Sequence, residues 1–258
     1  MDSSTLNYYP TDVFNSRKHL EDYFSDIKVS ENDFLRFLIE NLHHVFSEGN
    51  IKGNVLIDFR LGSQVYHLYS ASDYFKDIIV LKVNDGSITE LENWLSARPG
   101  AFDWSLAAKL LSQIEGKSDQ FKDKDEKVRS TVRRVVKVYP EKESLIDPMV
   151  SQPADAVISV ELLDVVSHDK DEYMRYLRKI TQLLRPDGHL ILIGDSEATY
   201  MKAGEDKFHV LNYDQDFPKK ALVDEGFKID YIKVEGREVL SDLTNSKAFM
   251  FIAAQKKN

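Results

Sequence analysis

The chain has 258 residues, 42% of them hydrophobic and 30% charged, with a formal net charge of −9, 7 histidines and no cysteine. Those figures suit one large α/β domain, 1–258, and exclude disulfides, thiolate metal ligands and cysteine nucleophiles. An acidic surface repels phosphates, so no nucleic-acid partner is expected. No apolar run is long enough to span a bilayer, and the first residues lack a basic start followed by an apolar core. No membrane partner and a cytoplasmic location are therefore the expectation, with non-classical secretion left open.

In chain order, residues 14–26 carry helix-like spacing, with His19, Tyr23 and Phe24 on it. A second helix is better marked. Ser30 followed by Asp33 resembles a capping box, and Phe34, Leu35, Leu38, Leu42, Val45 and Phe46 recur on one helical face. Residues 1–50 thus read as a helical segment preceding a core over 51–258. His43 and His44 are adjacent on that helix, point in different directions and do not form a metal pair.

Strand-like runs follow at 55–58, 78–83, 135–139, 156–160 and 190–194, mostly separated by helical stretches, which implies parallel strands with crossover helices. The clearest of these helices is 169–184, with Tyr173, Tyr176, Leu177, Ile180 and Leu184 as its stripe and Arg185-Pro186-Asp187-Gly188 as its stop. The charged stretch 115–134 shows no strand signal and reads as solvated helix or loop. At the end, 228–234 alternates and 248–254 is apolar, with only a polar loop between them, which favours an antiparallel pair. The expectation is a seven-stranded, mostly parallel α/β sheet closed by a hairpin.

The first strand leads into Asp58-Phe59-Arg60-Leu61-Gly62, where a doubly wound domain binds its ligand. Such turns use several glycines so that the backbone can bend tightly and approach a nucleotide. Here Gly62 is left, with Arg60 and Leu61 before it.

Lys52-Gly53-Asn54-Val55-Leu56-Ile57-Asp58, Leu91-Glu92-Asn93-Trp94-Leu95, Ala101-Phe102-Asp103-Trp104-Ser105, Leu183-Leu184-Arg185-Pro186-Asp187-Gly188 and Gly204-Glu205-Asp206-Lys207-Phe208 resemble stretches of one family. It is the nicotinamide, phenylethanolamine and indolethylamine N-methyltransferase family. The resemblance implies the class I methyltransferase fold, Rossmann-like, with N-terminal helices as a lid, and an S-adenosylmethionine site. Of the family's site residues, Tyr23, Asp58, Gly62 and Tyr66 match on the cofactor side and Asp195 on the substrate side.

Three departures fall on the cofactor site. Arg60 replaces the first glycine of Asp-x-Gly-x-Gly. Lys82 replaces the acid that accepts hydrogen bonds from the ribose, and Tyr139-Pro140 stand where an Asp-Val pair flanks the adenine. Two further cations oppose a sulfonium. The first two changes together cost on the order of 4 to 8 kcal/mol of cofactor affinity. The expectation is a catalytically degenerate methyltransferase-like protein that uses no cofactor and serves a binding or structural role. An active S-adenosylmethionine-dependent N-methyltransferase of a small amine or pyridine stands as the alternative. Arg60 and Lys82 could make the old cleft attractive to a small anionic ligand, or could pair with Asp58 and Asp85 and plug it. Another protein is a further candidate partner, and self-association is open.

Overall fold

The structure is a computed structural model that describes residues 6–10, 13–25, 33–48, 51–146, 152–238 and 241–257. Two helices come first. The first, α1 (Ser16–Phe24), starts where the Asn15 side chain accepts a hydrogen bond from the Lys18 amide at 2.9 Å. The second, α2 (Asp33–Ser47), buries the expected stripe from Phe34 to Phe46. Ser30 of the expected capping box lies outside the described residues. His43 and His44 sit at the boundary and the surface of α2, as their spacing requires.

The alternating core follows as β1 (Gly53–Arg60), α3 (Tyr66–Ala71), β2 (Phe75–Lys82), α4 (Asp85–Leu95), α5 (Ser105–Ile114), α6 (Lys124–Thr131), β3 (Val132–Lys137) and β4 (Ala154–Val160). It continues with α7 (Leu163–Val166), α8 (Lys170–Thr181) and β5 (Leu184–Ser196). Polar caps set the helix starts. Asn84 takes the Ser87 amide at 3.0 Å ahead of α4, and Asp169 takes the Glu172 amide at 2.8 Å ahead of α8. The chain ends with a small hairpin of β6 (Tyr200–Ala203) and β7 (Asp206–His209), then α9 (Asp216–Asp224), β8 (Phe227–Gly236) and β9 (Ala248–Lys256).

Seven strands form one sheet in the order β3-β2-β1-β4-β5-β9-β8, with β8 and β9 antiparallel. All seven predicted strands are there. Alternate residues feed two cores. Ile57, Phe59, Val157, Leu190 and Leu192 face α8, α9 and the small hairpin, whereas Leu56, Ile158, Ile191 and Ile193 face α2, α3 and α5. Both faces are covered, so the central strands are apolar throughout.

The structure corrects two boundaries. The stretch 115–134 contains α6 but also the start of β3, where Arg133 and Arg134 hide the strand pattern and are tolerated because β3 is an edge strand; Arg133 reaches Asp77 on β2 at 2.5 Å. The Arg185–Gly188 turn is part of β5 rather than a stop beyond it: α8 ends at Thr181, and Asp187 takes a φ of 59° where the β4–β5 register shifts. Among the described residues no helix is long and apolar enough to cross a membrane.

Candidate functional site

Strand order reverses between β1 and β4, and the ligand crevice of such a sheet lies beyond the carboxyl ends of its strands. Five ionisable groups gather there. Phe59 pairs with Leu81, so Arg60 and Lys82, one residue further along each strand, fall on the same face as Asp58. Glu161 follows β4 directly, and Asp195 is near the end of β5.

The turn after β1 is built around Gly62 at φ 66°. A Cβ there would stand 2.9 Å from Gln64 Oε1 and 3.1 Å from His19 Nδ1, and the left-handed backbone would strain any other residue. Arg60 points inward and is wholly enclosed. Its Nε donates to Gln64 Oε1 at 3.1 Å and its Nη2 to the Tyr66 hydroxyl at 2.7 Å. Nη2 also lies 3.5 Å from Glu161 Oε2. The guanidinium stands 4.7 Å from the centre of the Tyr66 ring, a cation–π contact. Gln64 in turn meets His19 Nδ1 at 3.2 Å, and the Ser16 and Ser63 hydroxyls are 2.8 Å apart. Helix α1 is thereby joined to the turn by buried hydrogen bonds.

Lys82 is 1% exposed, and its Nζ donates to the Arg60 carbonyl at 3.2 Å. Burial lowers its pKa to about 8, against the attraction of Asp58. Asp58 does not cap the turn. Its Oδ1 meets His67 Nε2 at 2.8 Å, and both side chains are buried; Oδ2 has no hydrogen-bond partner. Burial works to raise the Asp58 pKa, but His67, Lys82 and Arg60 together hold it below the usual carboxylate value. Burial drives His67 down to about 4 and His19 to about 3, so both rings are neutral at pH 7.

Beside this cluster lies a cavity of about 250 Å³. Tyr23, Phe24, Phe34, Leu61 and Met201 supply apolar wall, and among the described residues the charged lining is acidic apart from Arg237. Glu161, in the left-handed region at φ 52°, Asp164 and Asp195 all reach it. Burial raises the pKa of each, Asp164 to about 7. Gly194 keeps this corner open: a Cβ there would stand 2.6 Å from Asp164 Oδ2 and 2.7 Å from the Tyr213 hydroxyl. Arg237 Nη2 lies 3.5 Å from Asp195 Oδ2. The Tyr23 hydroxyl donates to the Leu243 carbonyl at 3.1 Å.

Asp164 has a pH signature. A carboxyl whose folded pKa lies above its unfolded value stabilises the fold below the unfolded value of about 4, and that stability is lost as pH rises to about 7. Asp164→Asn, which mimics the neutral acid, is expected to gain stability relative to the parent as pH rises from 5 to 8. The full effect is up to about 4 kcal/mol. Urea melts across that range check it; a pH-independent difference would mean that Asp164 is ionised throughout.

The structure brings Tyr23 and Asp195 to the cavity, and Asp58, Arg60, Gly62, Tyr66 and Lys82 to the cluster beside it. Tyr139 does not join them. It is 39% exposed, with the ammonium groups of Lys137 and Lys142 at 5.4 and 4.4 Å from its ring, and the Pro140 carbonyl accepts from Lys179 at 2.5 Å. Of the expected pairing with Asp58 and Asp85, the Asp58 half stands and the Asp85 half is corrected. Asp58 faces Lys82, Arg60 takes Glu161, and Asp85 is held by Lys137 at 2.6 Å. Both cations are buried, and the described lining beside them is mainly acidic.

A mostly parallel seven-stranded sheet of this order, with its crevice at the carboxyl ends of β1, β4 and β5, defines a class I methyltransferase fold. The fold recurs in an S-adenosylmethionine-dependent methyltransferase from Clostridium acetobutylicum, with TM-score 0.59 and 10% identity, over 95% of this chain and 99% of that one. The chain belongs to the NNMT/PNMT/TEMT family, whose model matches residues 5–257. It is 32% identical to nicotinamide N-methyltransferase of Homo sapiens, over 94% of this chain and 93% of the relative. It is 31% identical to indolethylamine N-methyltransferase of Oryctolagus cuniculus, over 95% and 94%.

Proposed function

We propose that this member of the family is catalytically degenerate: its own side chains fill the S-adenosylmethionine site, and it serves a binding role through the cavity beside that site. The observation that carries the reading is the enclosure of Arg60, 0% exposed in its side chain, between Gln64, Tyr66 and Glu161. Its cation already rests on Tyr66, a residue that the resemblance assigns to the cofactor.

The donor set present does not fit the cofactor. At the ribose position Lys82 offers only N–H donors, and its ammonium is directed to the Arg60 carbonyl. A sulfonium brought to this turn would meet Arg60 and Lys82, both buried, where charge repulsion is little screened. Admitting the cofactor would require Arg60 to leave at least two hydrogen bonds and an ion pair. With the turn closed in this way, the side chains offer no route to methyl transfer.

The second reading, an active N-methyltransferase of a small amine or pyridine, draws on the relatives' activity and on the retained Asp195 in the cavity wall. It needs no catalytic base, since alignment of a nucleophilic nitrogen supplies most of the acceleration. The two readings separate in a methyl-transfer assay using labelled S-adenosylmethionine with nicotinamide, tryptamine and phenylethanolamine. No product above the enzyme-free rate is expected; turnover of any one of them would establish the second reading.

A further inference from the structure

Two buried polar atoms in the cavity wall are unmatched, and they are of opposite kinds. Asp195 Oδ1 is an acceptor and Arg237 Nε a donor, and neither has a hydrogen-bond partner. Their side chains are otherwise fixed. Arg237 Nη2 lies 3.5 Å from Asp195 Oδ2, and the guanidinium stands 4.3 Å from the centre of the Phe249 ring. Leaving a buried donor or acceptor unmatched is costly, and a ligand that matches both recovers that cost.

The surroundings narrow the ligand. Glu161 and Asp164 stand with Asp195 on one part of the lining, and their carboxyl groups are held above the usual range by burial with too little positive charge nearby. A cationic nitrogen supplies that charge. Arg237 is the one arginine among the described residues of the lining, and a planar guanidinium suits a carboxylate. A simple amine would leave Arg237 Nε unmatched, and a simple acid would place its charge against the carboxyl groups. The volume, about 250 Å³, falls just below the roughly 300 to 1,000 Å³ of drug-sized pockets, so the ligand is small; Phe24 and Phe34 offer it an aromatic wall.

We infer that the cavity binds a zwitterion of the aromatic amino-acid type, its ammonium against Asp195 and Glu161 and its carboxylate on Arg237. The inference rests on the reading that this cavity acts without a cofactor.

Calorimetric titration of the full chain with phenylalanine, phenethylamine and 3-phenylpropionate tests it. Phenylalanine is expected to bind at least tenfold more tightly than phenethylamine, the loss of one hydrogen bond to a charged group, and 3-phenylpropionate more weakly still. Arg237→Gln is expected to bring phenylalanine down to the phenethylamine level while the amine changes less than twofold, and Arg237→Lys to keep part of the preference. Equal or tighter binding of the amine by the parent protein, or no binding of any of the three, would overturn the proposal. The parent comparison decides it even if the variants fail to fold. Repeating the titrations with S-adenosylhomocysteine separates the two readings: binding of that compound ends the cofactor-free reading, whereas the amino acid-to-amine ratio alone decides the zwitterion.

Discussion

Replacing Arg60 with alanine is expected to destabilise the protein by about 3 to 5 kcal/mol, and replacing it with methionine by less, though still measurably. Arg60→Ala leaves the Gln64 and Tyr66 oxygens without their donor and Glu161 without its nearest cation, and it opens space where the guanidinium lay. Methionine leaves the same oxygens without a donor, but it refills that space and so avoids the cavity part of the cost. Urea unfolding at pH 7 reads both. An alanine variant within about 1 kcal/mol of the parent would mean that Arg60 is a solvated side chain and that the cleft is open.

Asp58→Ala is the second change expected to have a large effect, again about 3 to 5 kcal/mol at pH 6, because it removes the carboxylate that faces Lys82 and holds His67. The sign of its pH dependence is fixed by Lys82. Burial lowers the folded pKa of that ammonium to about 8 while Asp58 opposes the shift, so without Asp58 it falls further. A lysine with a lowered folded pKa binds fewer protons folded than unfolded, and stability then increases with pH. The deficit of Asp58→Ala is therefore expected to shrink between pH 6 and pH 8.5, where the parent also begins to lose the Lys82 proton. Melts at the two pH values check this; a deficit that grows with pH would show that Lys82 stays charged without its partner.

The placement of Arg60 and Lys82 is legible in the sequence because each ends an apolar strand, and strand ends of this fold converge on one crevice. The face they share depends on register, which periodicity alone does not supply. Their partners are not legible. Glu161 lies 101 positions beyond Arg60 and carries no local signal of the pairing. His67 reads as one more polar residue of a helix, yet it is the hydrogen-bond partner of Asp58. Arg237 sits in a polar loop whose closeness to Asp195 follows only from the antiparallel pairing of β5, β9 and β8.

The same limit explains where sequence and structure part. The small hairpin β6–β7 leaves no clear pattern because four-residue strands give too short an alternation, although Gly204 at φ 65° marks its turn. Tyr139 matches the family's adenine-side position by spacing after the third strand, but its side chain is exposed while Val138 and Pro140 on either side are buried. The anion-binding expectation rests on Arg60 and Lys82 at neighbouring strand ends; Glu161, Asp164 and Asp195 reach the same crevice from other elements and carry no local sequence signal of doing so.

Calorimetric titration of the parent protein with S-adenosylhomocysteine tests most directly whether Arg60 and Lys82 close the cofactor site. That ligand lacks the sulfonium charge, so it isolates the steric block and the loss of the ribose acceptor from simple repulsion. No heat of binding at millimolar ligand is the expected result. Micromolar binding would contradict it, because the guanidinium would then have left Gln64, Tyr66 and Glu161 to admit the nucleoside.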